Sequence, residues 1–361
     1  MADPAEVPGW LGEGRIPSLD GLRAVAVGLV LLAHAHQTRG FPDIPALHAI
    51  GRKGAVGVDV FFVISGFLIT TLLLRERDRT GGVAIGSFYL RRTLRIVPAY
   101  ACLLAAVAGL QAAGLAVLGR RDWAAALTYT VNFLRHPAWE VGHAWSLSIE
   151  EHFYLAWPFV LAVVPRLGAR VALGCMVGCF AGRWAVMVVA PALTPMAELW
   201  TFTRIDTIAA GCLLAYLARD PRWRPRLDRV ASRPIAVGSL LVGSLAASGQ
   251  SAKFAVGIAY SLNAACIGLL VWAGIRAAGT GLGRLLNHPA LATVGVASYS
   301  LYLWQQLFLN PRNPGRLCAF PVNIASALVV AFMSYHLIER PLLGLRHRLG
   351  PRAARPPAVA R

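Results

Sequence analysis

Arg23 and His34 lie eleven residues apart in an otherwise apolar stretch of this 361-residue chain. On a helix that separation is three turns plus about 20°, so the two side chains share a face about 16 Å apart along the axis. A neutral imidazole is the titratable base most cheaply kept near neutral pH, which makes His34 a candidate general base. The competing reading is an interfacial imidazole bonded to a backbone carbonyl, and the residue type alone does not separate the two. Asp20 stands three residues before Arg23 and can pair with it. His36 lies about 200° around the helix from His34 and is expected to face elsewhere.

Four further groups have types suited to chemistry. Asp59, in Gly57–Phe67, is placed to orient and charge-stabilise an imidazole such as His34. Its plainer reading is an acid favoured at a helix N-terminus. Ser65 precedes Gly66 but lacks the GxSxG elbow of a nucleophile, so it is assigned to substrate binding. The alternative is a small-residue helix contact. Glu150 and Glu151, in Trp145–Tyr154, are adjacent carboxylates that point to different faces, so one at most shares a cavity with His34. Glu151 is taken as the candidate at the reacting atoms and Glu150 as a substrate-binding group. Arg92 and Arg95 are i, i+3 neighbours able to converge on one anion, and arginine forks match phosphate oxygens. Simple anchoring at a membrane surface is the competing reading for this cluster, which also contains Arg91. Arg204 and Asp206 are expected to pair locally, and Glu339-Arg340-Pro341 reads as a helix stop.

The elements that hold these residues are apolar. Hydrophobic residues make up 57% of the sequence and charged ones 14%, with a mean hydropathy of +0.57. That excludes disorder for the bulk of the chain. The net charge of +18 would suggest nucleic acid in a soluble protein, but the hydropathy points to a membrane protein with its surplus charge in the loops. Ten apolar stretches approach the roughly 17–25 residues that cross hydrocarbon. They are 19–36, 54–74, 96–118, 144–164, 169–190, 203–218, 234–250, 254–275, 289–309 and 318–338. With the N-terminus in the cytoplasm, 24 of the 35 basic residues fall in cytoplasmic loops and nine on the opposite side. The expected architecture is an all-α polytopic bundle of about ten transmembrane helices in the cell membrane, both termini cytoplasmic. A charged group at membrane depth costs at least about 2.5–3.5 kcal/mol, so those that remain inside the spans are functional candidates.

Residues 1–18 read as a flexible leader, 19–341 as the transmembrane domain and 342–361 as a basic cytoplasmic tail. Ala33-His34-Ala35 has the form of a signal-peptidase site. Cleavage is not expected, because Asp3, Glu6 and Glu13 precede the first apolar run and Asp20 abuts it. The six cysteines lie in or beside apolar runs and make no CxxC pair, which reads as buried small side chains. No HExxH, Walker A or GxGxxG motif is present, and no metal ligand set is expected.

Taken together these segments resemble the acyltransferase family 3 membrane proteins, which O-acylate bacterial surface polysaccharides and some antibiotics. The stretches that carry the resemblance are Leu19–Ala24, the Arg23–His34 spacing, Gly57–Thr70, Arg91–Pro98, Trp145–Tyr154, Arg204–Gly211, Ser298–Trp304 and Glu339–Pro341. They run in order over most of the chain. The resemblance implies a ten-helix bundle without metal or bound cofactor, with acyl-CoA, acetyl-CoA above all, as donor substrate from the cytoplasm. It implies essential roles for Arg23 and His34, handling of the acyl donor by Arg92 and Arg95, and an acidic motif at Glu150 and Glu151. One position departs: Tyr302-Leu303-Trp304 is followed by Gln305 where the family usually has histidine. Glutamine keeps a donor and an acceptor but takes no proton near neutrality.

The expected reaction is transfer from acyl-CoA to a carbohydrate hydroxyl, with His34 as base, Asp59 or Glu151 behind it, and Arg23, Arg92 and Arg95 along the donor path. Two alternatives stay open on the sequence: acylation of a cytoplasmic glycoside or macrolide, and a proton-coupled transporter. The lipid bilayer and a carbohydrate are the expected partners, and nucleic acid is not.

Overall fold

A computed structural model describes Gly14 and residues 16–349 of the chain. Most of the expected leader and much of the expected basic tail lie outside the described residues. The described residues are helical with no strand. Among the described residues, the helices of eleven or more residues are α1 Leu19–Ala35, α2 Val56–Thr80, α3 Ile85–Ala112, α4 Ala144–Val163, α5 Gly168–Val189, α6 Asp206–Arg219, α7 Pro234–Ser248, α8 Tyr260–Arg276, α9 Ser298–Phe308 and α10 Val322–Ser334. Each apolar run of the sequence falls largely on one of them.

Five helical stretches are long and apolar enough to cross a membrane: Val56–Thr80, Ile85–Ala112, Pro165–Val189, Ala252–Gly279 and Val322–Gly344. A sixth forms if Arg224–Ala231 and Pro234–Ser248, bent by 74°, act as one span. The other expected spans fall short in length, continuity or apolarity. α1 has 17 residues, and α4 carries Glu150 and Glu151. The run at 203–218 breaks at Ile205, and the run at 289–309 breaks at Ala297, between Pro289–Val296 and α9.

α2 forms the centre and the stretch Pro165–Val189 the rim, with 67% and 17% of their apolar windows buried. On α5, Leu173, Val177, Phe180, Trp184 and Val188 are exposed. Their spacing of three or four residues puts an apolar stripe on one outer face, as a helix against lipid requires. α2 crosses α6 at two glycines. A Cβ at Gly66 would sit 2.0 Å from the Ile208 carbonyl oxygen, and one at Gly211 would sit 2.0 Å from that of Val63. The backbones touch there because neither position has a side chain.

The expected stop at Glu339-Arg340-Pro341 is not one. The chain passes through a π-turn, Tyr335–Glu339, into a further helix, Arg340–Leu349. The wider turn accommodates the missing N–H and the ring of Pro341. Glu339 is buried there and accepts a hydrogen bond from Ser300 of α9. All six cysteines are free thiols, four buried and two half-buried.

Candidate active site

Four helices direct polar side chains into one chamber of about 80 Å³. Arg23 enters from α1, Ser65 from α2, Arg92 and Arg95 from α3, and Glu150 and Tyr154 from α4. Arg23 is held by Asp20 at 3.6 Å, the i, i+3 pair of the first turn. Arg92 stacks its guanidinium 3.9 Å above the Tyr154 ring. Ser65 Oγ donates to Glu150 Oε1 at 2.8 Å, and the Tyr154 hydroxyl lies 3.1 Å from Ser65 Oγ. Glu150 and Tyr154 meet here because they are four residues apart on α4. Arg91 turns away to pair with Glu76 at 3.1 Å. Among the described residues Arg92 and Arg95 have no ion-pair partner, and the buried Nε of Arg92 has no hydrogen-bond partner. Three guanidinium groups against Glu150 and Asp20 leave the chamber cationic. Guanidinium forks in such a setting suit phosphate oxygens.

His34 opens into a second and larger cavity of about 640 Å³, at the other end of α1. Its Nδ1 lies 3.1 Å from the Val30 carbonyl oxygen. A carbonyl can only accept, so Nδ1 carries the proton and Nε2 carries the lone pair, as a base requires. Trp139 stands edge-on to the imidazole, ring centroids 5.8 Å apart. Trp139 is itself clamped, because its Nε1 donates to the Gln306 carbonyl and the Gln306 side chain donates to the Trp139 carbonyl, each at 2.7 Å. His143, Trp145 and Arg52 also line this cavity. His143 is buried, and neither ring nitrogen meets a partner in good hydrogen-bond geometry.

Several expectations need correction. Asp59 does not back His34. It lies on the face of α2 that crosses α6, buried against Arg204 at 2.5 Å, while Arg204 stacks 3.9 Å above Tyr260. Arg204 and Asp206 do not pair with each other, because the break at Ile205 splays them. Asp206 instead meets Arg183 at 2.8 Å and accepts from Ser261 at 3.1 Å. Glu151 lines neither cavity and keeps one buried oxygen without a partner. His36, the C-cap of α1, does line the cavity of His34: that cavity also extends to Gly51, and the His36 ring packs edge-on against His48 at 5.9 Å. Gln305 is buried and lines neither cavity; its amide donates to Gln306 Oε1 at 3.2 Å. The position at which the resemblance implied a histidine therefore sits behind the cavity wall in this chain.

Some wall residues escaped the sequence reading. The i, i+4 relation of Tyr154 to Glu150 was a usable signal. Tyr302 sits within a recognised stretch, but the interest of that stretch lay in Gln305. His143 and Trp139 come from the short segment before α4 and have no periodic signature.

A helical bundle with an apolar outer stripe, a cationic chamber and an adjoining histidine cavity is the build of a multi-pass membrane protein. The chain belongs to the acyltransferase family: the family's acyltransferase domain matches residues 16–334. It is 26% identical to the peptidoglycan O-acetyltransferase OatA of Listeria monocytogenes, over 91% of this chain and 56% of that protein. It is 29% identical to the O-acetyltransferase OatA of Staphylococcus aureus, over 91% of this chain and 57% of that protein. The chain thus spans little more than half the length of these relatives. No solved structure matches it.

Proposed function

We propose that this chain is an integral-membrane O-acyltransferase that moves an acetyl or other short acyl group from acyl-CoA to a hydroxyl of a carbohydrate polymer. The observation that carries the reading is the adjacency of a chamber with three arginines and a cavity holding a correctly tautomerised histidine. Arg92 and Arg95 bind the phosphates of the CoA moiety, and Arg23 steadies charge along the pantetheine arm. Glu150, Ser65 and Tyr154 hold one another in the wall and fix the stacked Arg92.

His34 Nε2 takes the proton of the acceptor hydroxyl as its oxygen attacks the thioester carbonyl. The C–S bond breaks, the imidazolium gives its proton to the departing sulfur, and CoA leaves as the thiol through the arginine chamber. No carboxylate stands behind the imidazole in this mechanism; the Val30 carbonyl fixes its orientation. The acceptor occupies the larger cavity, where Trp139 and Trp145 offer faces for sugar rings and Arg52 and Gln306 offer polar groups.

The bias of basic residues supports ten spans with both termini in the cytoplasm of a cell whose plasma membrane holds the protein. The arginine chamber then faces the cytoplasmic supply of acyl-CoA, and the histidine cavity the far leaflet. The names of the relatives favour a peptidoglycan-like glycan as acceptor. Membranes containing the protein, supplied with isotopically labelled acetyl-CoA and glycan fragments, should yield labelled O-acetyl esters by mass spectrometry. His34→Ala membranes should not. Equal label in both would remove His34 as the base.

A further inference from the structure

The two cavities share a narrow wall. Val58 of α2 and Tyr302 of α9 line both of them. Neither side chain is free to swing aside. The Tyr302 hydroxyl donates to the His143 carbonyl at 2.8 Å and lies 2.5 Å from Ser146 Oγ, so the far end of the ring is pinned. Phe61 packs edge-on against the same ring with centroids 6.4 Å apart. Val58 follows Gly57, where a Cβ would lie 2.3 Å from the Ala26 carbonyl oxygen of α1. α2 is therefore seated on the backbone of α1, and Val58 cannot retreat with it. Valine in a helix also has one strongly preferred rotamer.

We propose that Val58 and Tyr302 form an acyl-size gate, so that the gap between them sets the longest acyl chain this protein transfers. The inference rests on the acyl-transfer reading above. In that reaction the acceptor oxygen bonds to the acyl carbon while the bond from that carbon to the CoA sulfur breaks, and the acceptor proton goes to His34. The reacting carbon must be reached from the donor chamber on one side and from the acceptor cavity on the other. The shared wall is where both can touch it. A short acyl tail fits between the valine methyls and the tyrosine ring. Each added methylene meets side chains held in place by backbone contacts, and one methylene in such a slot is worth about 10–200-fold in discrimination.

The test uses the purified full chain in proteoliposomes, given equal concentrations of acetyl-CoA and butyryl-CoA with a chito-oligosaccharide acceptor. The butyryl-to-acetyl ester ratio is read by mass spectrometry. Val58→Ala removes two methyl carbons and should raise the ratio about tenfold or more. Val58→Ile adds one carbon and should lower it. Because both esters form in one reaction, a partial loss of folded protein cancels from the ratio. Val329→Ala, on the exposed face of α10, should leave the ratio unchanged. An active wild type whose ratio moves by less than twofold in both Val58 variants refutes the gate alone. A wild type that forms no ester from either thioester overturns the transfer reading and the gate with it.

Discussion

Replacing Asp59 with alanine should unfold the bundle rather than impair its chemistry. The Asp59 carboxylate contacts Arg204 at 2.5 Å, with only 10% and 4% of the two side chains exposed. Two nitrogens of Arg204, Nε and Nη1, already lack hydrogen-bond partners, so the pair supplies the main compensation for that buried charge. The neighbouring Asp206 cannot take over, because it is engaged by Arg183 at 2.8 Å and by Ser261. Removing one partner of a buried ion pair leaves an uncompensated charge and costs about 3–5 kcal/mol, a large share of the roughly 5–15 kcal/mol that holds a typical domain. Replacing both charges with apolar groups of similar volume is often neutral or stabilising. The expected order of thermal stability in detergent is therefore wild type close to Asp59→Leu/Arg204→Met, with Asp59→Ala and Asp59→Leu well below. Melting of purified protein, followed by the monomer peak in size exclusion after heating, measures it. Transfer activity per folded molecule should stay within a few-fold of wild type in the double variant. If Asp59→Ala melts like wild type yet loses activity per folded molecule, the reasoning fails and Asp59 belongs to the chemistry.

Three further outcomes are expected. His34→Ala and His34→Gln should lower the transfer rate by about 10²–10⁴, the usual worth of a general base, while acyl-CoA still protects the arginine chamber from a guanidine-directed label. In the wild type the rate should rise with pH as the imidazole loses its proton, and this limb should vanish in His34→Gln. Arg92→Gln and Arg95→Gln should each raise KM for acyl-CoA about tenfold or more, since a hydrogen bond to a charged group is worth about 1.5–3 kcal/mol. Arg91→Gln should leave KM unchanged, because Arg91 is paired with Glu76 outside the chamber. Gly211→Val should lower the melting temperature and the yield of monomer, because its Cβ would sit 2.0 Å from the Val63 carbonyl oxygen and force α2 and α6 apart. The smallest cost expected there is the roughly 1–3 kcal/mol of an overpacked core.

The sequence by itself determined where most of the helices lie and which neighbours along a helix share a face. Apolar runs located the helices, and the periods of three and four residues placed Arg92 beside Arg95 and Asp20 beside Arg23. Those relations need only the geometry of a single helix. Relations between helices needed the packed bundle. A break of one residue at Ile205 sent Arg204 to Asp59 and Asp206 to Arg183, a choice that no local period encodes. The cavity of His34 extends around the end of α1 and takes in His36, which its helical angle had placed elsewhere. Only the tertiary structure decided that the candidates divide between two cavities, with Arg23 in one and His34 in the other. Their shared wall is made by Val58 and Tyr302, residues 244 positions apart in the chain. Such a contact depends on which helices touch and how closely, and here glycine backbones against carbonyl oxygens fix that closeness.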